Sequence, residues 1–301
     1  MFDFPALAGR RDRAMRLGFA GGADFLHREV AALIAERLGE INRAFRRVAL
    51  IGTGAGAVAA ALGRSGAALR QLDPSPAMAR AAGAEVLAGE VLPLAEGAHD
   101  LVVSTLLLHA MNDPVGQLIQ MRRALAPDGL MLAALFGGRT LAELRASLAE
   151  AEAEVEGGLS LRVAPMAEIR DLGGLLQRAG YAMPVADSQT LTVTYATPLH
   201  LMRELRAMGE TNIVRARRRQ PMRRATLMRA CEIYARHFGA PDGRVRATFE
   251  IVFLTGWAPG PDQPQPLRPG SARARLADAL GTNEIGSGIK TGIKPGIKPG
   301  R

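Results

Sequence analysis

Three glycines and one aspartate form the most informative pattern in the chain. Residues 48–51, Val-Ala-Leu-Ile, are an apolar run typical of a buried strand, and Gly52, Gly54 and Gly56 follow it. Glycines let a backbone turn sharply and lie close to a bound molecule, where a Cβ would interfere. Asp73 ends the next apolar run, and an acidic residue at that place can accept hydrogen bonds from ribose hydroxyls.

The spacing of the glycines indicates which ligand to expect. Gly-x-Gly-x-Gly differs from the Gly-x-Gly-x-x-Gly pattern of dinucleotide-binding proteins. We therefore interpret the pattern as a nucleoside site, with S-adenosylmethionine as the expected cofactor. The alternative is that the glycines only form a tight turn after the strand, as glycines often do.

Three polar residues near the end of a later strand are candidates for the chemistry. Residues 100–105 predict a short buried strand, and Ser104, His109 and Asn112 lie at its carboxyl end or shortly after it. Ligands of doubly wound sheets bind at that edge. We expect Ser104 to contact the cofactor, and His109 and Asn112 to be catalytic. An imidazole pKa of ~6.5 suits His109 to proton transfer. The alternative for His109 is a helix-capping or buried structural histidine.

The elements that position these residues alternate between strand and helix patterns. The predicted strands are 47–51, 68–72, 100–105 and 130–136, and the helices between them begin near residues 57, 75 and 113. Short, almost wholly apolar strands are typical of parallel sheets covered by helices on both faces. The alternation therefore predicts a Rossmann-like α/β fold with a doubly wound sheet.

The pattern changes in the second half of the chain, where helices outnumber strands. The predicted elements are helices at 139–156 and 166–179, a strand at 191–195, helices at 197–208 and 223–238, and a last strand at 245–256. Two late strands with helices between them suit a sheet closed by an antiparallel edge. The predicted domains are an N-terminal helical cap at 1–45, a main domain at 46–260 with inserted helices at about 197–240, and a tail at 261–301.

The N-terminal cap and the C-terminal tail each carry a recognisable sequence pattern. The helical cap contains a predicted helix at 24–38, with Asp24 as its N-cap. The tail at 261–301 is rich in Pro, Gly and Arg and ends in a Gly-Ile-Lys repeat that cannot bury a core. We predict that the tail is mostly disordered.

Composition narrows the class of protein. The 301 residues carry a formal net charge of +9 and one cysteine, Cys231, which excludes an internal disulfide and a multi-cysteine metal site. No apolar run approaches the ~20 residues needed to cross a bilayer, so a cytoplasmic location is expected. Six arginines between 215 and 224 suit an acidic protein face, an anionic membrane surface or a solvated helix face. They lack the interleaved aromatic residues of single-strand nucleic-acid binders, so no nucleic-acid partner is expected.

Several segments carry a resemblance to a known family. Beside the glycine loop they include Arg11-Asp-Arg-Ala14, Asp73-Pro-Ser-Pro76, Phe136-Gly-Gly-Arg-Thr-Leu-Ala-Glu-Leu-Arg145 and Leu205-Arg-Ala-Met-Gly-Glu-Thr-Asn212. With these segments the chain resembles class I S-adenosylmethionine-dependent methyltransferases from about residue 11 to residue 279. Within that class it is similar to bacterial relatives of mitochondrial complex I assembly factor 5 and to the malonyl-carrier-protein methyltransferase of biotin synthesis.

The resemblance implies further site residues. The family has an acidic residue ahead of Leu92-Pro93 that faces the adenine amine, and Glu90 is the nearest match. Leu50 stands where the family has an acidic residue two positions before its first glycine, and Thr53 replaces the usual cysteine. Residues in the family-specific segments would bind the substrate or join the inserted helices to the sheet: Arg139, Arg145, Arg206, Glu210 and Asn212.

The sequence leaves three functions open. The first is a methyltransferase with a seven-stranded sheet, acting on a protein or carrier-bound substrate. The second is a non-methylating assembly factor, either a scaffold or similar to a protein-arginine hydroxylase, and the third is a pseudoenzyme with a degenerate cofactor site. The resemblance implies a complex I subunit as partner and peripheral contact with the inner membrane through the basic surface. No metal site is predicted, because His27 and Glu29 are two positions apart on a helix and point away from each other.

Overall fold

The predicted strands join one mixed sheet. A computed structural model of the chain describes residues 1–19, 22–62 and 66–263. Within that part the strands are β1 Arg47–Ile51, β2 Ala68–Asp73, β3 Glu85–Val86, β4 His99–Thr105, β5 Leu125–Phe136, β6 Ala182–Tyr195 and β7 Val245–Trp257. Their order in the sheet is β3-β2-β1-β4-β5-β7-β6. The chain reverses its direction of growth between β1 and β4, so their carboxyl ends flank the crevice where such sheets bind ligands.

The last two strands run antiparallel to their neighbours, as predicted. The neighbouring strands from β3 to β5 pair in parallel, whereas β7 pairs antiparallel with both β5 and β6. The expected antiparallel edge is therefore confirmed, with β6 at the edge of the sheet and β7 between β5 and β6. β6 is, however, much longer than the predicted 191–195. Its partly exposed, mixed-polarity side chains lack the continuous apolar run that marks the inner strands.

Helices cover both faces of the sheet. They are α1 Phe4–Arg16, α2 Phe25–Gly39, α3 Ala57–Leu62, α4 Pro76–Ala82, α5 Pro114–Ala124, α6 Ala142–Glu156, α7 Ile169–Arg178, α8 Pro198–Ala207 and α9 Arg224–Phe238. In β1, Val48 and Leu50 join the core on one face, and Ala49 and Ile51 join the core on the other. The Rossmann-like doubly wound fold is confirmed, with α8 and α9 inserted before the last strand.

Local capping signals explain where several helices begin. Ser75 accepts a hydrogen bond from the backbone N–H of Met78 at 3.1 Å and so caps α4. Asp113 accepts one from Gly116 at 2.8 Å and caps α5. Asp24 precedes α2 as predicted, but its side chain makes no capping bond; it lies 3.4 Å from the guanidinium of Arg28 instead.

The predicted disordered tail and the predicted lack of a membrane-spanning segment can be compared with the described part of the chain. The predicted tail falls mostly on residues 264–301, outside the described part of the chain, so its disorder stays a prediction. In the described ranges, none of the helices combines the length and apolar character that a membrane crossing requires.

Candidate active site

The glycine loop is shaped by its contact with the end of β4. Gly52 has a φ of +84°, and a Cβ there would overlap the backbone carbonyl oxygen of Thr105. The hydroxyl of Thr105 in turn donates a hydrogen bond to the carbonyl oxygen of Gly52. The first glycine of the motif is therefore required by the packing of β1 against β4 as well as by any ligand.

A histidine from α2 lies against the second glycine of the loop. Gly54 has a φ of +53°, and a Cβ there would lie 3.1 Å from Nδ1 of His27. His27 is buried, and its ring contacts Phe19 edge-on at 6.0 Å between centroids. Burial, followed by the charge of Arg11, lowers the pKa of His27 from 6.5 to about 4. His27 is therefore a neutral side chain near pH 7 and packs over the loop.

Asp73 lies at the predicted carboxyl edge of the sheet and holds the glycine loop. Its Oδ2 accepts hydrogen bonds from the backbone N–H of Thr53 at 2.8 Å and from the Thr53 hydroxyl at 3.0 Å. Its Oδ1 accepts one from the backbone N–H of Ser75 at 2.8 Å. The carboxylate has 0% exposure. The loop is thus organised by Asp73 and Thr53, while Leu50, where the resemblance implies an acidic residue, packs in the core.

The N-terminal helix covers this carboxylate. Asp12 on α1 accepts hydrogen bonds from the Ser75 hydroxyl at 2.6 Å and from the backbone N–H of Ala77 at 2.9 Å. The next residue toward the N-terminus, Arg11, is the largest fully buried side chain. Helix α1 is therefore hydrogen-bonded to the start of α4, beside Asp73.

The buried Arg11 guanidinium connects α1 to the end of β4. Its Nη2 donates to the carbonyl oxygen of Leu106 and lies 3.2 Å from Oε1 of Glu210. Within the described residues, its Nε and Nη1 have no hydrogen-bond partner. The sequence marks Arg11 only as part of a family segment, because nothing in the pattern of α1 distinguishes a buried arginine from an exposed one.

Glu210 and His109 form the polar end of the site. His109 Nε2 lies 3.8 Å from Glu210 Oε2, and both side chains are nearly buried. Burial acts to raise the pKa of Glu210, but interaction with His109 and the charge of Arg11 prevail and lower it to about 2. Glu210 is therefore an ionised carboxylate that faces a histidine. The His109 ring also packs on Phe136, with 4.8 Å between centroids.

An apolar cavity opens at this carboxylate and histidine. Its volume is ≈ 220 Å³. The walls come from α1, the turn after β4, α6, the segment 162–166, α8 and the segment 209–213, and include Leu7, Leu144, Leu148, Met166, Met202 and Leu205. His109 and Glu210 are among its few polar lining residues. The predicted His109 therefore lies where an apolar substrate group would meet the histidine and the carboxylate of Glu210.

Asn112 and Glu90 have contacts of a different kind. Asn112 Oδ1 accepts from the N-terminal ammonium of Met1 at 2.5 Å and from the N–H of Phe2 at 2.7 Å. Its Nδ2 donates to Glu90 Oε1 at 2.5 Å, and its backbone N–H donates to both Glu90 carboxylate oxygens at 3.0 Å. These bonds give both residues a structural role at the N-terminus. Their predicted roles with substrate and adenine remain predictions.

The other predicted residues occupy the expected edge of the sheet. Ser104 pairs with Ile51 near the end of β4, is 1% exposed, and its hydroxyl has no partner among the described residues. Gly56 has a φ of +94°, and a Cβ there would meet open space, so only its backbone conformation requires glycine. Across residues 1–19, 22–62 and 66–263, no group of three or more His, Cys, Asp or Glu side chains is arranged to hold a metal ion.

Comparisons with known proteins agree with this geometry. A family model described as a methyltransferase domain matches residues 50–133, which include the glycine loop, Asp73, Ser104 and His109. Among solved structures, YcgJ from Bacillus subtilis has a TM-score of 0.53 at 14% identity, covering 76% of this chain and 97% of that one. A putative methyltransferase from Bacillus halodurans has a TM-score of 0.51 at 15% identity, covering 75% and 98%. The fold is that of a methyltransferase domain.

Curated relatives define the family more closely. The chain is 35% identical to the mitochondrial arginine hydroxylase NDUFAF5 of Danio rerio, over 92% of this chain and 89% of the relative. It is 37% identical to NDUFAF5 of Homo sapiens, over 87% and 78%. It is 33% identical to the malonyl-[acyl-carrier protein] O-methyltransferase of Halorhodospira halophila, over 82% and 88%. The chain belongs to the methyltransferase-fold family that contains these proteins, and the resemblance stated from sequence is confirmed.

Proposed function

We propose that the protein is an S-adenosylmethionine-dependent methyltransferase-type protein related to complex I assembly, acting on a protein or carrier-bound substrate. The observation that carries this proposal is the cavity at His109 and Glu210, which opens at the carboxyl edge of the parallel strands, where the glycine loop also ends. Relatives at 33–37% identity include an O-methyltransferase and arginine hydroxylases. The O-methyltransferase is named for a substrate bound to acyl-carrier protein, which supports a carrier-bound or protein-bound acceptor.

Some residues at the sheet edge are suited to bind the cofactor, whereas Asp73 is already bonded within the protein. Eight residues carry buried polar atoms without partners in the described part of the chain, and Arg11, Ser104 and His109 are the ones at or just after the end of β4 or in contact with it. Their unpartnered atoms are Ser104 Oγ, His109 Nδ1 and the Nε and Nη1 of Arg11. Buried polar groups normally have partners, so these atoms suit a polar ligand such as the amino-acid end of S-adenosylmethionine. Asp73 would hold the ribose, but it is covered and bonded to Thr53 and Ser75. The bound cofactor would supply an electrophilic methyl group.

The chain's own residues would then orient the acceptor. An apolar cavity excludes water and holds an acceptor group in place, and proximity of this kind supplies much of the rate of a transfer reaction. The ionised Glu210 lies 3.8 Å from Nε2 of His109 and would orient the ring so that His109 can accept a proton from the acceptor. We therefore assign proton acceptance to His109 and its orientation to Glu210.

A second candidate function is a non-methylating assembly factor, either hydroxylase-like or a scaffold. The specific observation in its favour is the burial of Asp73, which has 0% exposure and already accepts hydrogen bonds from Thr53 and Ser75. The NDUFAF5 relatives are named as arginine hydroxylases, which agrees with a function other than methylation. In this case the cavity would still bind the partner protein.

The location of the protein is part of the proposal. The net charge of +9 and the exposed Arg215, Arg223 and Arg224 support peripheral contact with the anionic inner membrane from the cytoplasmic side. The NDUFAF5 relatives are named as mitochondrial proteins. A complex I subunit is the partner that we propose.

Calorimetric titration with S-adenosylmethionine and S-adenosylhomocysteine separates the two functions. We expect the wild type to bind both and Asp73→Asn to bind neither, while Asp171→Asn, an exposed carboxylate on α7, binds as the wild type does. Circular dichroism confirms that each variant is folded. Failure of the wild type to bind either compound would refute the methyltransferase and favour the scaffold.

A further inference from the structure

A groove lined by arginines adjoins the apolar cavity. Its volume is ≈ 500 Å³, and its walls come from α1, the segment around 161–162, α8 and the segment 211–219. Seven arginines line it, namely Arg10, Arg13, Arg162, Arg206, Arg217, Arg218 and Arg219. They come from four separate parts of the chain, so the fold, and not only the arginine-rich run near 215–224, creates this concentration of positive charge.

Only some of these arginines have carboxylate partners. Within the described residues, Arg162 pairs with Glu152 at 2.6 Å, Arg217 with Asp3 at 3.2 Å, and Arg218 with Glu156. The structure records no carboxylate partner, in that same part of the chain, for Arg10, Arg13, Arg206 and Arg219. The groove therefore carries a local excess of positive charge.

Arg10 shows the effect of this crowding. Its guanidinium donates to the backbone carbonyl oxygens of Thr211 and Asn212 and is half-buried. Burial, followed by the charges of Arg217 and Arg13, lowers the pKa of Arg10 from its ordinary range to about 10. An anion in the groove would relieve this mutual repulsion.

The groove and the apolar cavity share a wall. Arg162, Arg206, Thr211 and Asn212 line both. A chain bound along the groove would therefore lie next to the cavity, and a neighbouring side chain or attached group could enter it toward His109. Leu161, whose side chain is exposed in the groove, offers an apolar contact at this junction.

We propose that the arginine groove binds an acidic segment of the partner protein, which carries the acceptor group into the adjoining cavity. This inference rests on the proposed function, because it names the chemistry of the partner at the same site. The unpaired guanidiniums are spread over α1, α8 and the segment ending at Arg219, so they suit several carboxylates along a chain better than one phosphate. A concave groove is also poorly shaped for the flat surface of a bilayer.

Fluorescence anisotropy with the full-length protein tests this inference. The probe is a fluorescein-labelled peptide of alternating glutamate and alanine, and the matched control peptide has glutamine in place of glutamate. We expect the glutamate peptide to bind more tightly than the control, with an affinity that falls as salt rises. Unlabelled inorganic phosphate and vesicles containing phosphatidylglycerol serve as competitors.

Two triple variants locate the binding. Arg13→Gln, Arg206→Gln and Arg219→Gln together remove three unpaired charges from the groove and should weaken binding about tenfold, because three charge pairs with the peptide are lost. Three exposed arginines outside the groove provide a control with the same change in charge: Arg80→Gln, Arg170→Gln and Arg178→Gln. This control should reduce the affinity less than about twofold, by the loss of long-range attraction only.

Each outcome decides the proposal. If both triple variants lose the same affinity for the glutamate peptide, the peptide is attracted by the net charge alone and the proposal is overturned. Binding of the glutamine peptide as tight as that of the glutamate peptide would also overturn it. Displacement of the peptide by phosphate at equal charge concentration would assign the groove to phosphate, and displacement by vesicles would assign it to a membrane; either result overturns the proposal. Because the assay contains no cofactor, groove-dependent peptide binding stands even if S-adenosylmethionine fails to bind.

Discussion

Acidification tests the packing of His27 over the glycine loop. Burial and the charge of Arg11 lower the pKa of His27 from 6.5 to about 4. In the unfolded chain the imidazole regains its ordinary pKa, so the unfolded state binds more protons over this interval. Stability is therefore fully present above about pH 6.5 and is lost as the pH falls toward about 4.

The magnitude follows from the two pKa values. For this one side chain, linkage gives a loss of about 2 kcal/mol in unfolding free energy between about pH 7 and about pH 5. His27→Gln removes the titrating group, so its unfolding free energy should fall by about 2 kcal/mol less than that of the wild type over the same interval. Urea unfolding followed by circular dichroism at the two pH values measures the difference.

Two other histidines serve as comparisons. His237 is half-exposed on α9, so His237→Gln is the matched control for loss of a histidine away from the glycine loop. Burial also lowers the pKa of His99, and His99→Gln measured separately gives its share of the effect. If His27→Gln and the wild type lose the same free energy on acidification, the imidazole is not buried over the loop and the reasoning fails.

Three substitutions test other contacts of the site by urea unfolding. Glu210→Gln leaves the buried Arg11 without a carboxylate and should cost about 3–5 kcal/mol; a cost below about 1 kcal/mol would contradict the buried pair. Thr53→Val removes one donor to Asp73 and should cost about 1 kcal/mol; unchanged stability would show that the hydroxyl bond is not formed. Gly52→Ala should abolish soluble folded protein because of the Thr105 carbonyl, whereas Gly97→Ala, also at positive φ but with open space around it, should cost only about 1–2 kcal/mol. Equal behaviour of the two alanine variants would contradict the close approach.

Much of the fold could be predicted from the sequence because its signals are local. An apolar run followed by Gly52 marks the end of β1, and Ser75 before Pro76 marks the start of α4. The order of β6 and β7 could not be predicted, because strand pairing over long separations depends on packing that no local pattern encodes. The first part of β6 could not be predicted for a related reason, since an edge strand needs no continuous apolar run.

Some residues of the candidate site could also be predicted from local sequence patterns, whereas their contacts with distant residues could not. His109 follows a recognisable strand, so its place at the cavity could be predicted from the chain order alone. Its partner Glu210 lies within a family segment, but nothing local indicates that it meets His109 and Arg11 in space. The contacts of Asn112 with Met1 and Phe2 were equally hidden, because they join residues more than a hundred positions apart.

The hydrogen bonds of Asp73 link the two candidate functions. A carboxylate offers about four lone-pair positions, and Thr53 and Ser75 already occupy three of them. A ribose with two hydroxyls needs two positions, so at least one existing bond must be given up on binding. The Thr53 hydroxyl is the most easily replaced, because it can rotate while the two backbone donors are fixed by the loop and by α4. Leu50 supplies no carboxylate to hold the loop, so Asp73 would have to hold the loop and the proposed ligand together. We therefore expect nucleoside affinity to be reduced by the energy of the bond that the ribose displaces.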